Sequence, residues 1–427
     1  MLLRLWLCNV IAWPMVLGLA ALLSAQTLPL KVTIGDQDWP GWRGALGTGV
    51  APAGQQPPLK WSDTENVVWK APVPGRGHAS PTVVGSCVYL ATAEEDAGRQ
   101  SVICYDRATG KALWTTVVHT GKLETKGHNK SSQASASVTC DGERLFINFL
   151  NDNAIFTTAL DLHGKQLWQT KVSDFKTHQG FGSSPMLFGD LLYVTTDSPG
   201  GGVVAALRRT DGEIAWKQDR PEKANYASAL VYRLDGKDQL VMQGCDLVTS
   251  YDPRSGEKLW EVEGATTECV TTIVSDGERI FVSGGYPRNH VQAIKADGSG
   301  ETAWENGARV YVPSMIVHDG HLYAIQDGGI AMCWDSATGK EQWKQRVGGD
   351  FTASLVQVND LLFATSEKGK TTIFRASPDK FEMVGENQLG DEAFATPSIC
   401  GNHIYMRVID TKDGQRQEWL YCLGEKK

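Results

Sequence analysis

From about residue 66 to residue 423 the chain alternates apolar and polar positions in short runs, each broken by a cluster of Gly, Asn or Asp. Period-two runs between turn residues predict β-strands joined by hairpins. The pattern also repeats. Ser101-Val102-Ile103-Cys104-Tyr105 leads into Asp106-Arg107-Ala108-Thr109-Gly110-Lys111-Ala112-Leu113-Trp114, and Thr115-Thr116-Val117-Val118 continues the next strand. The same phrase returns at 335–343, with looser copies at 161–168, 211–216, 252–260 and 297–304. Counted from Trp69, the tryptophans that close these phrases are 45, 54, 48, 44, 44 and 39 residues apart. A repeat of this length with one tight turn per unit predicts a propeller or array.

The chemistry of the phrase explains its residues. Asp bonds nearby backbone amides and fixes the turn, and Gly supplies the positive φ of a tight hairpin. The Trp that opens the following strand can bury its ring against a neighbouring unit and give its indole N–H to a backbone acceptor. Trp69, Trp114, Trp168, Trp216, Trp260, Trp304 and Trp343 are therefore expected to dock one unit on the next.

A second column gives the number of units. Ser80, Ser135, Ser184, Ser228, Thr271, Ser314, Ser354 and Thr396 each precede an apolar strand, a turn and a second strand. With the Trp hairpin, each unit has four strands. Val67-Val68-Trp69-Lys70 is a lone strand before the first unit, and the last unit, ending at 418–423, lacks its fourth. The fold class expected is all-β: an eight-bladed β-propeller of four-stranded antiparallel blades. The N-terminal outer strand closes the ring and leaves no free sheet edge at the join. In the seventh unit the outer strand, read at 380–384, has lost its Trp.

Composition narrows the partners. Gly is high, 45 of 427 residues, which suits a turn-rich chain. The net charge is −8 with no Lys/Arg run, so nucleic acid is not an expected partner. Arg4, an apolar run from Val10 to Leu23 and the Leu23-Ser24-Ala25 step read as a signal peptide over residues 1–25. The expected layout is then an extended lid over 26–65, the propeller over 66–423 and a tail at 424–427. Such a protein is periplasmic or secreted, monomeric, and without a membrane span once the signal is removed. Eight cysteines follow Cys8, with no adjacent pair and no Cys-x-x-Cys. Cys104, Cys333 and Cys422 share a column with Ala159, Ala206, Ser250 and Ala293, so they are expected to be small buried side chains rather than disulfide partners.

The phrase Asp-x-x-Thr-Gly-Lys-x-x-Trp, set on eight four-stranded units, resembles the pyrroloquinoline-quinone (PQQ) repeat. That repeat occurs in quinoprotein alcohol dehydrogenases and in outer-membrane assembly lipoproteins of the BamB type. The opening Asp38-Trp39-Pro40-Gly41-Trp42-Arg43-Gly44 resembles that of exported PQQ-like propellers of Planctomycetes, and its two Trp are expected to pack on the ring. A dehydrogenase resemblance implies PQQ with calcium, held by oxygen ligands such as Glu268, Asn225 and Asp350, and oxidation of an alcohol or sugar. It also implies a vicinal Cys-Cys, which this chain lacks. A BamB resemblance implies a lipid-anchored N-terminal Cys, also lacking after the apolar run.

In a propeller the loops entering the inner strands form a concave mouth, the default ligand site. Arg76, His78, Lys130, His178, Asn225, Glu268, Tyr311, Asp350 and Glu392 fall there, with Tyr226, Phe351 and Phe394. Basic and imidazole groups gather on blades 1 to 3, and acids on blades 5, 7 and 8. His78, His128 and His178 lack the spacing of a metal site. No Gly-x-Ser-x-Gly, His-Glu-x-x-His or P-loop is present, so no catalytic residue, resident metal or cofactor is expected. The reading is a non-catalytic binding or scaffold module whose partner is a protein, peptide or glycan of the cell envelope.

Overall fold

The computed structural model describes residues 28–121, 123 and 127–425. The signal segment expected at 1–25 lies outside them. Thirty-two strands form eight separate four-stranded antiparallel sheets, and no helix occurs among the described residues. Blade 1 runs outward as Thr82–Val84, Cys87–Glu94, Arg99–Asp106 and Ala112–Thr120. Blade 8 is composite: Ser398–Cys400, His403–Lys412 and Gln415–Leu423 pair in order, and Val67–Val73 adds the outer strand. Val67 lies opposite Leu423 and Val73 opposite Glu418. The chain therefore closes its own ring.

Burial along each blade follows from stacking. The second and third strands are packed on both faces by neighbouring blades, so they read as unbroken buried runs, as in Cys87–Glu94 and Arg99–Asp106. Outer strands such as Ala112–Thr120 alternate exposed and part-buried residues, because one face meets solvent. The cysteine column lies in these double-sided layers. All eight cysteines of the described chain are free and buried.

Trp docking is repeated round the ring. Trp114 donates its indole N–H to Leu162 O in blade 2 (3.1 Å), Trp168 to Arg209 O in blade 3 (3.2 Å) and Trp216 to Pro253 O in blade 4 (2.9 Å). Trp304 bonds Ser336 O and Trp343 bonds Ser377 O, both at 2.8 Å. Trp260 differs, giving its N–H to the Gln239 side chain of its own blade (2.8 Å). The glycine of the next turn makes room for the ring: a Cβ on Gly212 would stand 2.4 Å from Trp168.

The hydroxyl column and the outer strand of blade 7 differ from the sequence reading. The hydroxyl column forms a belt in which the backbone N–H of one blade bonds the side chain of the next: Ser80 to Ser137, Ser137 to Ser184, Ser184 to Ser228, then Thr272 to Ser314, Ser314 to Ser354 and Ser354 to Thr396, all at 2.9–3.0 Å. Ser137 and Thr272 hold the places assigned to Ser135 and Thr271. In each belt blade the hydroxyl used is the one two residues before the inner strand, and neighbouring hydroxyls in Ser-x-Ser and Thr-Thr hid the choice. In blade 7 the outer strand is Met383–Gln388, not 380–384. Gly385, opposite Ile373, stands where other blades place Trp. Phe381 packs on Trp343 of blade 6, with ring centroids 5.7 Å apart and planes at 73°.

The segment before the ring covers the face that carries the first turn of each blade. Trp39 pairs through its backbone with Val83, Cys140 N bonds Pro40 O, Gln357 bonds Gly49 and Ala51, and Gln55 joins Asn402. Cβ positions built on Gly47 and Gly49 would touch Leu230, Met186 and Ile316. With Trp42 on Thr272, these contacts reach the inner strands or first turns of all eight blades. Arg43 is buried beneath this segment, with its guanidinium on the carbonyls of Gly47, Thr48 and Met315 (3.2, 2.6 and 2.7 Å). Burial lowers its pKa to about 10.

Candidate functional site

Since the N-terminal segment closes one end, the central channel is a blind cavity of about 270 Å³ opening at the opposite mouth. Trp42 reaches into it and donates its indole N–H to Thr272 Oγ1 (2.8 Å). A simple register rule builds the wall. In a strand-like approach, residues two apart face the same way. The residues two before each belt hydroxyl are His78, Ser135, Gly182, Tyr226, Val270, Val312, Thr352 and Phe394, and every one lines the cavity. His78 is the only member of that set that gains charge by protonation, and none is an acid, Lys or Arg.

His78 stacks on Phe394 with centroids 4.7 Å apart. Burial, then the nearby charges of Arg76, Arg407 and Arg416, hold its imidazole well below the usual histidine range, so the ring is neutral. Lys130 lies on the loop between blades 1 and 2. It crosses the mouth to an ion pair with Glu367 of blade 7 (2.7 Å). His128 N on the same loop bonds Gln179 O (3.0 Å). Tyr311 lines the cavity and donates to Glu268 Oε2 (3.1 Å), and Gln179 Nε2 donates to the same oxygen (3.1 Å). Burial, followed by the Glu268 charge, pushes the Tyr311 phenol well above its usual range. His178 stands behind this group, 3.5 Å from Glu268 and 3.2 Å from the Tyr226 hydroxyl.

Of the nine candidates, His78, Lys130 and Tyr311 line the cavity, and Glu268 and His178 support its rim. The other four lie apart. Arg76 bonds Asn129 O (2.9 Å) and pairs through its backbone with Ala93. Asn225 is buried in the seam between blades, donating to Asp197 and Gln243 O and accepting from Cys269 N. Asp350 is exposed, and Glu392 lies beside Lys368 and Arg416 at 3.5 and 3.6 Å. Gln179, Phe181, Val270, Val312 and Thr352 were not among the candidates, and Trp42 was expected only to pack on the ring. The register of the hydroxyl column could have found three of them.

The donor set does not fit calcium with PQQ. Glu268 is committed to Gln179 and Tyr311, Asn225 to the blade seam, and Asp350 lies off the cavity. Among the described residues no three His, Cys, Asp or Glu gather as a metal site.

A profile of the family described as outer membrane protein assembly factor BamB, of the PQQ-repeat class, matches residues 53–177, 98–345 and 287–380. The chain belongs to this family. A BamB of Burkholderia pseudomallei is 27% identical over 295 residues, covering 65% of this chain and 68% of that protein. One of Yersinia pestis is 21% identical over 358 residues, covering 79% and 75%. Among solved structures, BamB from Moraxella catarrhalis aligns with a TM-score of 0.58 at 14% identity, covering 83% of this chain and 96% of that one. A quinohemoprotein alcohol dehydrogenase from Comamonas testosteroni aligns at 0.66 and 12%, covering 92% and 81%. These last two likenesses are of fold alone.

Proposed function

We propose that this BamB-family propeller is an exported, non-catalytic binding or scaffold module of the cell envelope, and that it takes an uncharged group of its partner into the mouth cavity. The wall carries the reading: eight in-phase positions, none of them an acid, Lys or Arg, around a blind channel. Lys130, the one Lys, Arg, Asp or Glu of the lining among the described residues, is paired with Glu367, and Glu268 is hydrogen-bonded to Tyr311. A site of this kind supports recognition and offers no activated nucleophile. The family description, an outer-membrane assembly factor, supports an envelope setting, as does the signal-like segment.

The test is site-specific photo-crosslinking in envelope fractions. A photoreactive residue at Phe181, which lines the cavity, should yield a discrete adduct. The same group at Leu167, exposed on an outer strand, should not. Equal labelling at both positions, or none at Phe181, would remove the cavity from the function.

A further inference from the structure

We infer that the mouth cavity receives a neutral sugar ring, presented end-on by a glycan. The inference rests on the binding reading above and names its ligand class.

Four observations carry it. First, the wall is mixed: His78, Ser135, Tyr226 and Thr352 bring polar groups, and Val270, Val312 and Phe394 bring apolar surface. A pyranose has the same division, with C–H faces that lie on apolar and aromatic surface and hydroxyls round its edge that need partners. Second, aromatic rings stand at several levels, with Trp42 at the floor, Phe394 and Tyr226 in the wall, and Phe181 and Tyr311 near the rim. They offer flat faces without charge. Third, the wall has hydrogen-bonding capacity in reserve. His78 Nε2 and Thr352 Oγ1 lack partners, and these residues flank Phe394 in ring order. The Lys130 backbone is the hydrogen-bond partner of the His78 ring, which leaves Nε2 to accept from a hydroxyl once the wall adjusts round a ligand. Fourth, among the described residues Lys130 is the only Lys, Arg, Asp or Glu in the lining, and it is held by Glu367 rather than free to take an anion. The blind end favours a terminal unit over a strand passing through. An extended peptide would instead need a sheet edge to bond its backbone, and the cavity offers side chains.

Saturation-transfer NMR on the signal-free chain tests this, with methyl β-glucopyranoside and N-acetylglucosamine as neutral probes, and glucuronate and tryptophan amide as contrasts. The neutral sugars should bind, with glucuronate several-fold weaker. Phe394→Ala should weaken the neutral sugars by about tenfold, since it removes a stacking face. Tyr226→Phe, which keeps the ring, should weaken them by about threefold. Val312→Trp, which fills the cavity, should abolish binding, with an unchanged melting profile as the check on folding. Failure of both neutral sugars to bind, indifference to Val312→Trp in a folded variant, or preference for glucuronate or tryptophan amide would overturn the inference. If Phe181 still crosslinks a discrete partner while the sugars fail, the sugar assignment falls and the binding reading stands. If both fail, both fall.

Discussion

Trp69, in the strand that precedes the ring, donates its indole N–H to Arg107 O at 2.9 Å. Its ring also lies over Gly110, where a Cβ would stand 2.5 Å away. The last blade is thus docked on the first by the contact that Trp114, Trp168, Trp216, Trp304 and Trp343 make elsewhere in the ring. Closure therefore draws on pairing with 415–423 and on this indole, beside the polar bonds between blades 8 and 1. Deleting residues 66–72 should abolish a single cooperative melting transition, and Trp69→Ala should cost about 3–5 kcal/mol in urea unfolding. An unchanged transition after the deletion would show that the ring is held elsewhere.

Two turn glycines separate backbone strain from ring contact. Gly339 and Gly298 have similar φ, +70° and +81°, so alanine is strained at both. At Gly339 the new Cβ would also meet Trp304 at 2.5 Å, whereas at Gly298 the nearest atom of Trp260 is 3.4 Å away. Gly339→Ala should therefore lower the melting temperature clearly more than Gly298→Ala. Equal shifts would assign the whole cost to φ.

The fold was legible because its determinants are local and repeat. The Asp-to-Trp phrase fixes a turn and a docking contact in nine residues, and each repetition confirms the others. Even the orphan strand at 67–70 could be placed by counting. The site was legible only in part, because its residues come from eight distant stretches. Polar side chains drew attention to Asn225, Asp350 and Glu392, which hold the seam, the surface and an outer ion cluster. Uncharged wall residues such as Val312 and Thr352 carry no chemical signal. They become visible only through their phase relative to Ser314 and Ser354. Trp42 was expected to pack on the ring, but its position in the channel depends on the N-terminal path across it, which no repeat encodes.

Arg407 and Glu418 form an ion pair of 2.6 Å within blade 8, at 1% and 0% side-chain exposure. Arg407 also bonds Ala91 O and Thr92 Oγ1 in blade 1, so the pair ties the closing blade to the first. Removing one partner strands a buried charge. Glu418→Leu should cost about 3–5 kcal/mol, and combining it with Arg407→Met should recover much of that loss. A double variant no more stable than the single one would show that the bonds to Ala91 and Thr92 matter more than the charge pairing.

The scattered oxygen ligands lead to an expectation about cofactors. With Glu268, Asn225 and Asp350 engaged or placed apart, calcium and PQQ at micromolar concentration should give no stoichiometric complex, and alcohols should not reduce a dye. Equilibrium dialysis with and without a chelator measures this. A calcium-dependent complex lost in Glu268→Ala would make the dehydrogenase reading the leading one.

Acid should expose the buried histidines. The His78 pKa lies well below 6.5 in the folded chain, and near 6.5 once unfolded. Below that value the unfolded chain binds a proton that the folded chain refuses, so stability falls as pH drops. His119, whose pKa burial lowers to about 4, acts in the same direction. Asp335 and Asp252, lowered by hydrogen bonds at their turns, lose their contribution only at and below the usual carboxylate range. Asp327, raised by burial, has the opposite sign just above that range. The window from about 6.5 to 5 therefore belongs to the imidazoles, with a slope of up to about 1.4 kcal/mol per pH unit for each. Urea unfolding across this window should show the His78→Phe slope reduced by about one proton relative to the parent, with the Phe394 stack kept. Parallel slopes for the two proteins would mean that His78 titrates freely in the folded ring.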